Sequence, residues 1–143
     1  MEFQQSDGGR SAAGFKGSAG DCVCRAVAIA AELPYAEVYS RLAAETGAQR
    51  AGKRGKRAAS ARSGVNTTRK WFKDYMTGLG FRWVPTMQIG SGCTTHLKAD
   101  ELPSGRIVVS LSRHMAAVID GVLHDNHDSS RSGSRCVYGY WTR

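Results

Sequence analysis

The sequence predicts an α+β domain, with N-terminal helices packed on a mostly antiparallel C-terminal sheet. Three observations predict it. The first half carries apolar residues at helical spacing. The last third is a series of short β-rich runs cut by turn residues, RIVVSLS, HMAAVID, GVLHDN and CVYGYWT. Between two of those runs stands Asp120-Gly121, the dipeptide that best suits a two-residue hairpin. Helices first and strands last argue for segregated layers and against an alternating parallel α/β fold.

In chain order, residues 1 to 17 are polar and glycine-rich and predict a flexible lead-in. Asp21 is a good N-cap for an alanine-rich helix from Cys22 to about Leu33. Pro34 suits the first turn of a second helix, PYAEVYSRLAAETG, on which Val38 and Leu42 lie one turn apart beside Tyr35 and Tyr39, with Gly47 as its stop. Asn66 or Thr67 can cap a third helix, TTRKWFKDYMTGL, where Trp71, Tyr75 and Leu79 repeat at four-residue spacing next to Phe72 and Met76. FRWVPTM reads as a short strand that Pro85 ends. No internal repeat is visible, so residues 18–143 are expected to form a single domain.

The composition excludes some classes. No apolar run approaches the roughly 18 residues a membrane span needs, and the N-terminus lacks the apolar centre of a secretory signal. A soluble protein of a cytoplasm is expected, with the four cysteines Cys22, Cys24, Cys93 and Cys136 reduced. The net charge of +8 is concentrated. Arg50, Lys53, Arg54, Lys56, Arg57 and Arg62 fall in one acid-free loop, residues 50–63, and the rest of the chain carries only +2. Such a loop suits phosphates or an acidic partner. It has no aromatic residue on which a base would stack. Trp71, Trp83, Tyr138, Tyr140 and Trp141 read as core or pocket wall.

The residues that carry chemistry begin with Cys22. A thiol at the first helical position faces unpaired backbone amides and the positive end of the helix dipole, and both favour the thiolate. Cys24, two residues on, points to another face. A cysteine nucleophile needs a base and a group to orient it. If Asp120-Gly121 is the turn, Ile119 opposes Val122, Ala116 opposes Asp125 and His114 opposes His127. His114 and Asp125 then become diagonal neighbours on one face. Among His96, His114, His124 and His127, this selects His114 as base and Asp125 as its orienter, with His127 the nearest rival. One residue more in the turn would put Asn126 there in place of Asp125.

The order of a cysteine at a helix start, a histidine on one strand and an aspartate on the next resembles the papain-like cysteine peptidase superfamily. The stretch GDCVCRAVAIAAELPYAEVY, with the segment from GLGFRWVPTM to CVYGYW, is similar to a group of small bacteriophage and prophage proteins. In that group an N/G-D-C start precedes an alanine-rich helix and a P-Y-x-E-V-Y segment. The resemblance covers roughly residues 15 to 142. It implies a papain-like fold, a bacterial host cytoplasm and a thiol hydrolase with no cofactor: a cysteine peptidase, amidase or acyl transferase acting on a protein or peptide. By position it makes Cys22 the nucleophile, His114 the base and Asp125 the orienting residue. The superfamily commonly places a glutamine shortly before the cysteine to hold the oxyanion. Here FKGSAGD has none, which leaves the Cys22 N–H with Ser18 or Asp21 as candidates.

Two rival expectations stand beside this one. Cys93-Thr-Thr-His96 has the spacing of two metal ligands, which Cys136 or Cys24 could join. A structural zinc site normally needs two such pairs; only one is visible, so no metal is assigned. Alternatively, the chain is a catalytically inactive papain-like binding module of phage origin whose basic loop takes nucleic acid or an acidic host protein.

Overall fold

RIVVSL and HMAAVI are apolar at nearly every position, a pattern that suits strands covered on both faces. In the computed structural model, which describes residues 1–15, 21–48, 65–88 and 90–143, they form the middle of the sheet. The strands are β1 (Glu2–Gln5), β2 (Arg82–Pro85), β3 (Arg106–Leu111), β4 (His114–Ile119), β5 (Val122–Asp125) and β6 (Gly139–Thr142). Their order across the sheet is β1-β5-β4-β3-β6-β2. Every pairing is antiparallel except β1 with β5.

Three helices, α1 (Cys22–Ala31), α2 (Tyr35–Ala48) and α3 (Lys70–Gly78), cover one face. Val23, Ala26, Val27 and Ala30 of α1, Val38 and Leu42 of α2, and Phe72 and Met76 of α3 meet Val108, Met115, Ala117 and Trp141 of the sheet. The opposite face presents Ile107, Val109, Leu111, Ala116, Val118 and Leu123. Its cover is a pair of loops that contribute Leu97, Leu102 and Val137. The architecture is therefore α+β, with a six-stranded, mixed but mostly antiparallel sheet between a helical layer and a loop layer.

The hairpin that positions the candidate residues follows its predicted register. Val118 pairs with Leu123 and Ile119 with Val122. Asp120 and Gly121 both have positive φ, 47° and 80°, as a tight turn matching the strand twist requires. The Asp120 carboxylate accepts the Gly105 N–H at 2.7 Å, which ties the turn to the start of β3. Helix α1 lies along β4. Its first residue meets His114, and its last carbonyls, of Ile29 and Ala30, accept hydrogen bonds from Arg106, whose partner on β4 is Ile119.

Four features depart from expectation. Residues 2–15 are not a loose lead-in: β1 joins the sheet edge, the Ser6 N–H bonds the Asp125 carbonyl at 2.8 Å, and Arg10 is buried against Tyr35. The third helix begins at Lys70, not Thr67, because Asn66 closes its own turn by accepting from the Thr68 N–H and hydroxyl. Asp21 stands at the N-cap position of α1 without a capping hydrogen bond; Arg25 and Tyr35 take its carboxylate. Cys93 and Cys136 are not reduced but form a disulfide, with Cα atoms 5.8 Å apart, because an antiparallel bridge between His96 and Cys136 lays the two covering loops side by side. Cys22 and Cys24 remain thiols. Among the described residues no helix is long and apolar enough to cross a membrane. The basic segment, residues 50–63, lies outside the described residues.

Candidate active site

Antiparallel pairing puts the start of β4 and the end of β5 at the same end of the sheet, and α1 begins there. His114 Nε2 lies 2.6 Å from Asp125 Oδ2, and the Cys22 thiol hydrogen-bonds the same histidine. With Nε2 held by Asp125, Nδ1 is the nitrogen left for the thiol. His114 thus stands between a thiol on a helix and a carboxylate on the neighbouring strand.

The electrostatics favour charge separation. Burial pushes the Cys22 thiol up, but the hydrogen bond and charge of His114, a backbone hydrogen bond from Met115 and the Arg25 guanidinium outweigh it, so the thiol titrates below its ordinary value. For His114, burial pulls the other way, yet its bonds to Asp125 and Cys22 raise it to about 9. Asp125 is held low despite its burial by His114, the Ser129 hydroxyl and the Asn126 N–H. Each direction favours thiolate, imidazolium and carboxylate over their neutral forms. Cys24 is the contrast. Buried and near the Asp21 carboxylate, it is pushed up to about 12 and stays a packing residue.

A second layer fixes this arrangement. The Asp125 side chain is almost fully buried, and Ser129 donates to its Oδ2 at 2.9 Å. Arg25, one turn into α1, bonds Asp21 Oδ1 and sits 3.6 Å from Asp125 Oδ1. Tyr35 donates to Asp21 Oδ2, and Arg10 donates to the Tyr35 hydroxyl at 2.7 Å. Arg10, Tyr35, Asp21, Arg25 and Asp125 therefore form one buried polar chain beneath the helix start. The sequence offered one signal of it: Arg25 is the lone charge in an otherwise apolar helix and lies four residues from Asp21. Arg10, Tyr35 and Ser129 come from separate segments and gave none.

A cavity of about 270 Å³ opens at Met115, lined with it by Ser110, Trp83 and Trp141 from the sheet, by Thr67 and Thr68 from the approach to α3 and by Lys73 on that helix. Met115 belongs to both the cavity and the site, since its backbone bonds Cys22. Trp83 and Trp141 form the cavity's aromatic wall, with ring centroids 5.4 Å apart.

The structure brings together Cys22, His114 and Asp125. His127 stacks obliquely on His114 with ring centroids 5.4 Å apart, and with Asp125 the two histidines place ligand-type atoms within 4.8 Å of one another, the spacing of a metal site. Asp21 is nearby, but both of its carboxylate oxygens are engaged, Oδ1 accepting from Arg25 and Oδ2 from Tyr35. Ser18 and the six basic residues Arg50, Lys53, Arg54, Lys56, Arg57 and Arg62 lie outside the described residues. Compared with known proteins, the chain matches no family model, no curated protein and no solved structure.

Proposed function

We propose that the protein is a thiol hydrolase of papain-like fold, cutting an amide or peptide bond through Cys22, His114 and Asp125. The observation that carries this is His114 held between two partners, Asp125 Oδ2 at 2.6 Å and the thiol of a helix-start cysteine. A structural role would not require the thiol to be lowered and the imidazole raised to about 9 together.

In this reading the resting site is a thiolate–imidazolium pair. The thiolate attacks the substrate carbonyl carbon, and the oxyanion forms at the N-terminus of α1, where the Cys22 N–H donates to it. His114 gives its proton to the leaving amine and a thioester remains on Cys22. His114, now neutral, takes a proton from water as the water attacks. The acid departs and the thiolate and imidazolium return. An incoming amine in place of water makes the same site a transferase. Asp125 keeps the imidazole oriented and stabilises its charge without taking its proton. The cavity beside Met115 suits an apolar or aromatic substrate side chain next to the scissile carbonyl. The basic segment suits an acidic region of the substrate or a partner beyond the site.

The test is the pH dependence of alkylation by iodoacetamide, resolved by peptide mapping. Cys22 is expected to react selectively, with an apparent pKa below the roughly 8.5 of an ordinary thiol, and to lose that reactivity in His114→Ala. Slow labelling at an ordinary pKa, indifferent to His114, would sink the enzyme and leave a binding module. Binding that weakens with salt and vanishes when residues 50–63 are neutralised would then identify that module's surface.

A further inference from the structure

On the loop-covered side of the sheet, a second cluster of reactive groups has no part in the chemistry above. Cys93 and Cys136 are joined there, and His96 Nε2 lies 3.7 Å from Cys93 Sγ. The other ring nitrogen, Nδ1, faces Glu101 Oε1 at 3.2 Å. Glu101 Oε1 also accepts the His96 backbone N–H at 3.3 Å. A carboxylate that fixes one imidazole nitrogen and leaves the other facing a sulfur is the usual support of a metal-ligating histidine.

The spacing fits as well. With Zn–S near 2.3 Å and Zn–N near 2.0–2.1 Å in a tetrahedron, two such ligand atoms stand about 3.6 Å apart. The distance from Cys93 Sγ to His96 Nε2 is 3.7 Å. Cys136 is the direct β-bridge partner of His96, so the third ligand enters from the neighbouring loop. Met87 Sδ is 3.8 Å from Cys136 Sγ and adds a soft flank.

What holds these groups together is not the disulfide alone. The Leu97 N–H bonds the Arg135 carbonyl and the Val137 N–H bonds the Thr95 carbonyl, both at 2.8 Å. Leu97 and Val137 are fully buried in the second core. With the sulfur–sulfur bond cut, the two segments stay in register, and side-chain rotation is enough to part the sulfurs to the ~3.8 Å of two thiolates on one zinc.

We propose that Cys93, Cys136 and His96 form a zinc(II) site that the disulfide closes and reduction opens, with solvent in the fourth position. A dithiol reductant delivers two electrons and two protons to the Cys93–Cys136 bond and leaves as its own disulfide. Zinc then displaces the two thiol protons into solvent. The site is independent of the thiol-hydrolase reading: it stands or falls without Cys22.

The experiment uses the full chain carrying Cys22→Ser, reduced, freed of reductant and titrated anaerobically with cobalt(II), whose thiolate charge-transfer absorption reports sulfur ligation. One equivalent is expected to bind with that absorption. The disulfide form should show none, and neither should the reduced chain that also carries Cys136→Ser. Zinc should displace the cobalt. His96→Ala should weaken binding by tenfold or more, and Glu101→Gln by about tenfold. Far-UV circular dichroism checks that each variant is folded. The proposal is overturned by absence of the absorption in the reduced chain, by its survival in Cys136→Ser, by equal binding in the disulfide form, or by indifference to His96→Ala.

Discussion

Arg25 Nη2 lies 3.6 Å from Asp125 Oδ1, so the helix that presents Cys22 also contacts the carboxylate that holds His114. The same guanidinium bonds Asp21 at the head of that helix. All three side chains are buried, which makes the cation a brace between α1 and β5 rather than a surface charge. Arg25→Leu should therefore destabilise the fold by about 3 kcal/mol, the lower end for breaking a buried ion pair. The lower end applies because Arg10 still faces Asp21 and His114 still faces Asp125. Urea denaturation measures it. A loss under about 1 kcal/mol would mean that the two carboxylates are satisfied without the arginine.

Asp125→Asn separates orientation from charge. The amide can still meet His114, but the charge that helps raise the imidazole to about 9 is gone. The histidine should fall back towards its ordinary value, and the Cys22 thiolate loses part of its counter-charge. A rise of about one pH unit in the midpoint of Cys22 alkylation, about 1.4 kcal/mol of lost thiolate stabilisation, is the expected result. An unchanged alkylation profile would show that Asp125 orients His114 without holding its charge.

The raised His114 also makes stability depend on pH, with a definite sign. The folded state binds the imidazole proton more tightly than the unfolded chain does, about 9 against 6.5. The contribution is complete below the unfolded value and is lost as pH rises through about 9. A Cys22→Ser background isolates the part due to Asp125. There, the stability gap between His114 and His114→Ala proteins should shrink from pH 6 to pH 10. A gap that widens over that range would contradict the raised histidine.

The hairpin and the catalytic candidates were legible because both rest on local rules. Asp120-Gly121 has one favoured turn, that turn fixes register, and register fixes which residues are neighbours. Cys22 was legible because Asp21 and the apolar run after it mark a helix start, although the Asp21 carboxylate turned out to serve Arg25 and Tyr35. Two of the departures are long-range. Nothing in MEFQQ distinguishes an edge strand from a tail until β5 is there to pair with it. Cys93 and Cys136, 43 residues apart, meet only because of the His96–Cys136 bridge. On α3 the four-residue repeat is Trp71, Tyr75 and Leu79, yet the residues fully buried are Phe72 and Met76 of the adjacent stripe.

Gly139 reaches the site's wall by another route. A Cβ there would lie 2.3 Å and 2.4 Å from two ring atoms of Trp83 and 3.0 Å from the Val84 carbonyl oxygen. Glycine is needed for close approach: the Trp83 indole lies across the β6 backbone, next to Trp141. Gly139→Ala must push the indole outward, which is feasible because Trp83 is 42% exposed. The cost of such overpacking is about 1–3 kcal/mol. Tryptophan emission should shift as Trp83 leaves Trp141, and the cavity beside Met115 loses one side of its wall. Under the hydrolase reading, a substrate that fills the cavity then binds more weakly, with the Cys22 alkylation profile unchanged. The double variant Trp83→Ala/Gly139→Ala identifies the cause, because removing the ring removes the clash and the two effects will not add. If Gly139→Ala costs as much without the ring as with it, the obstacle is the Val84 carbonyl, and the closeness of β2 to β6 is what the glycine serves.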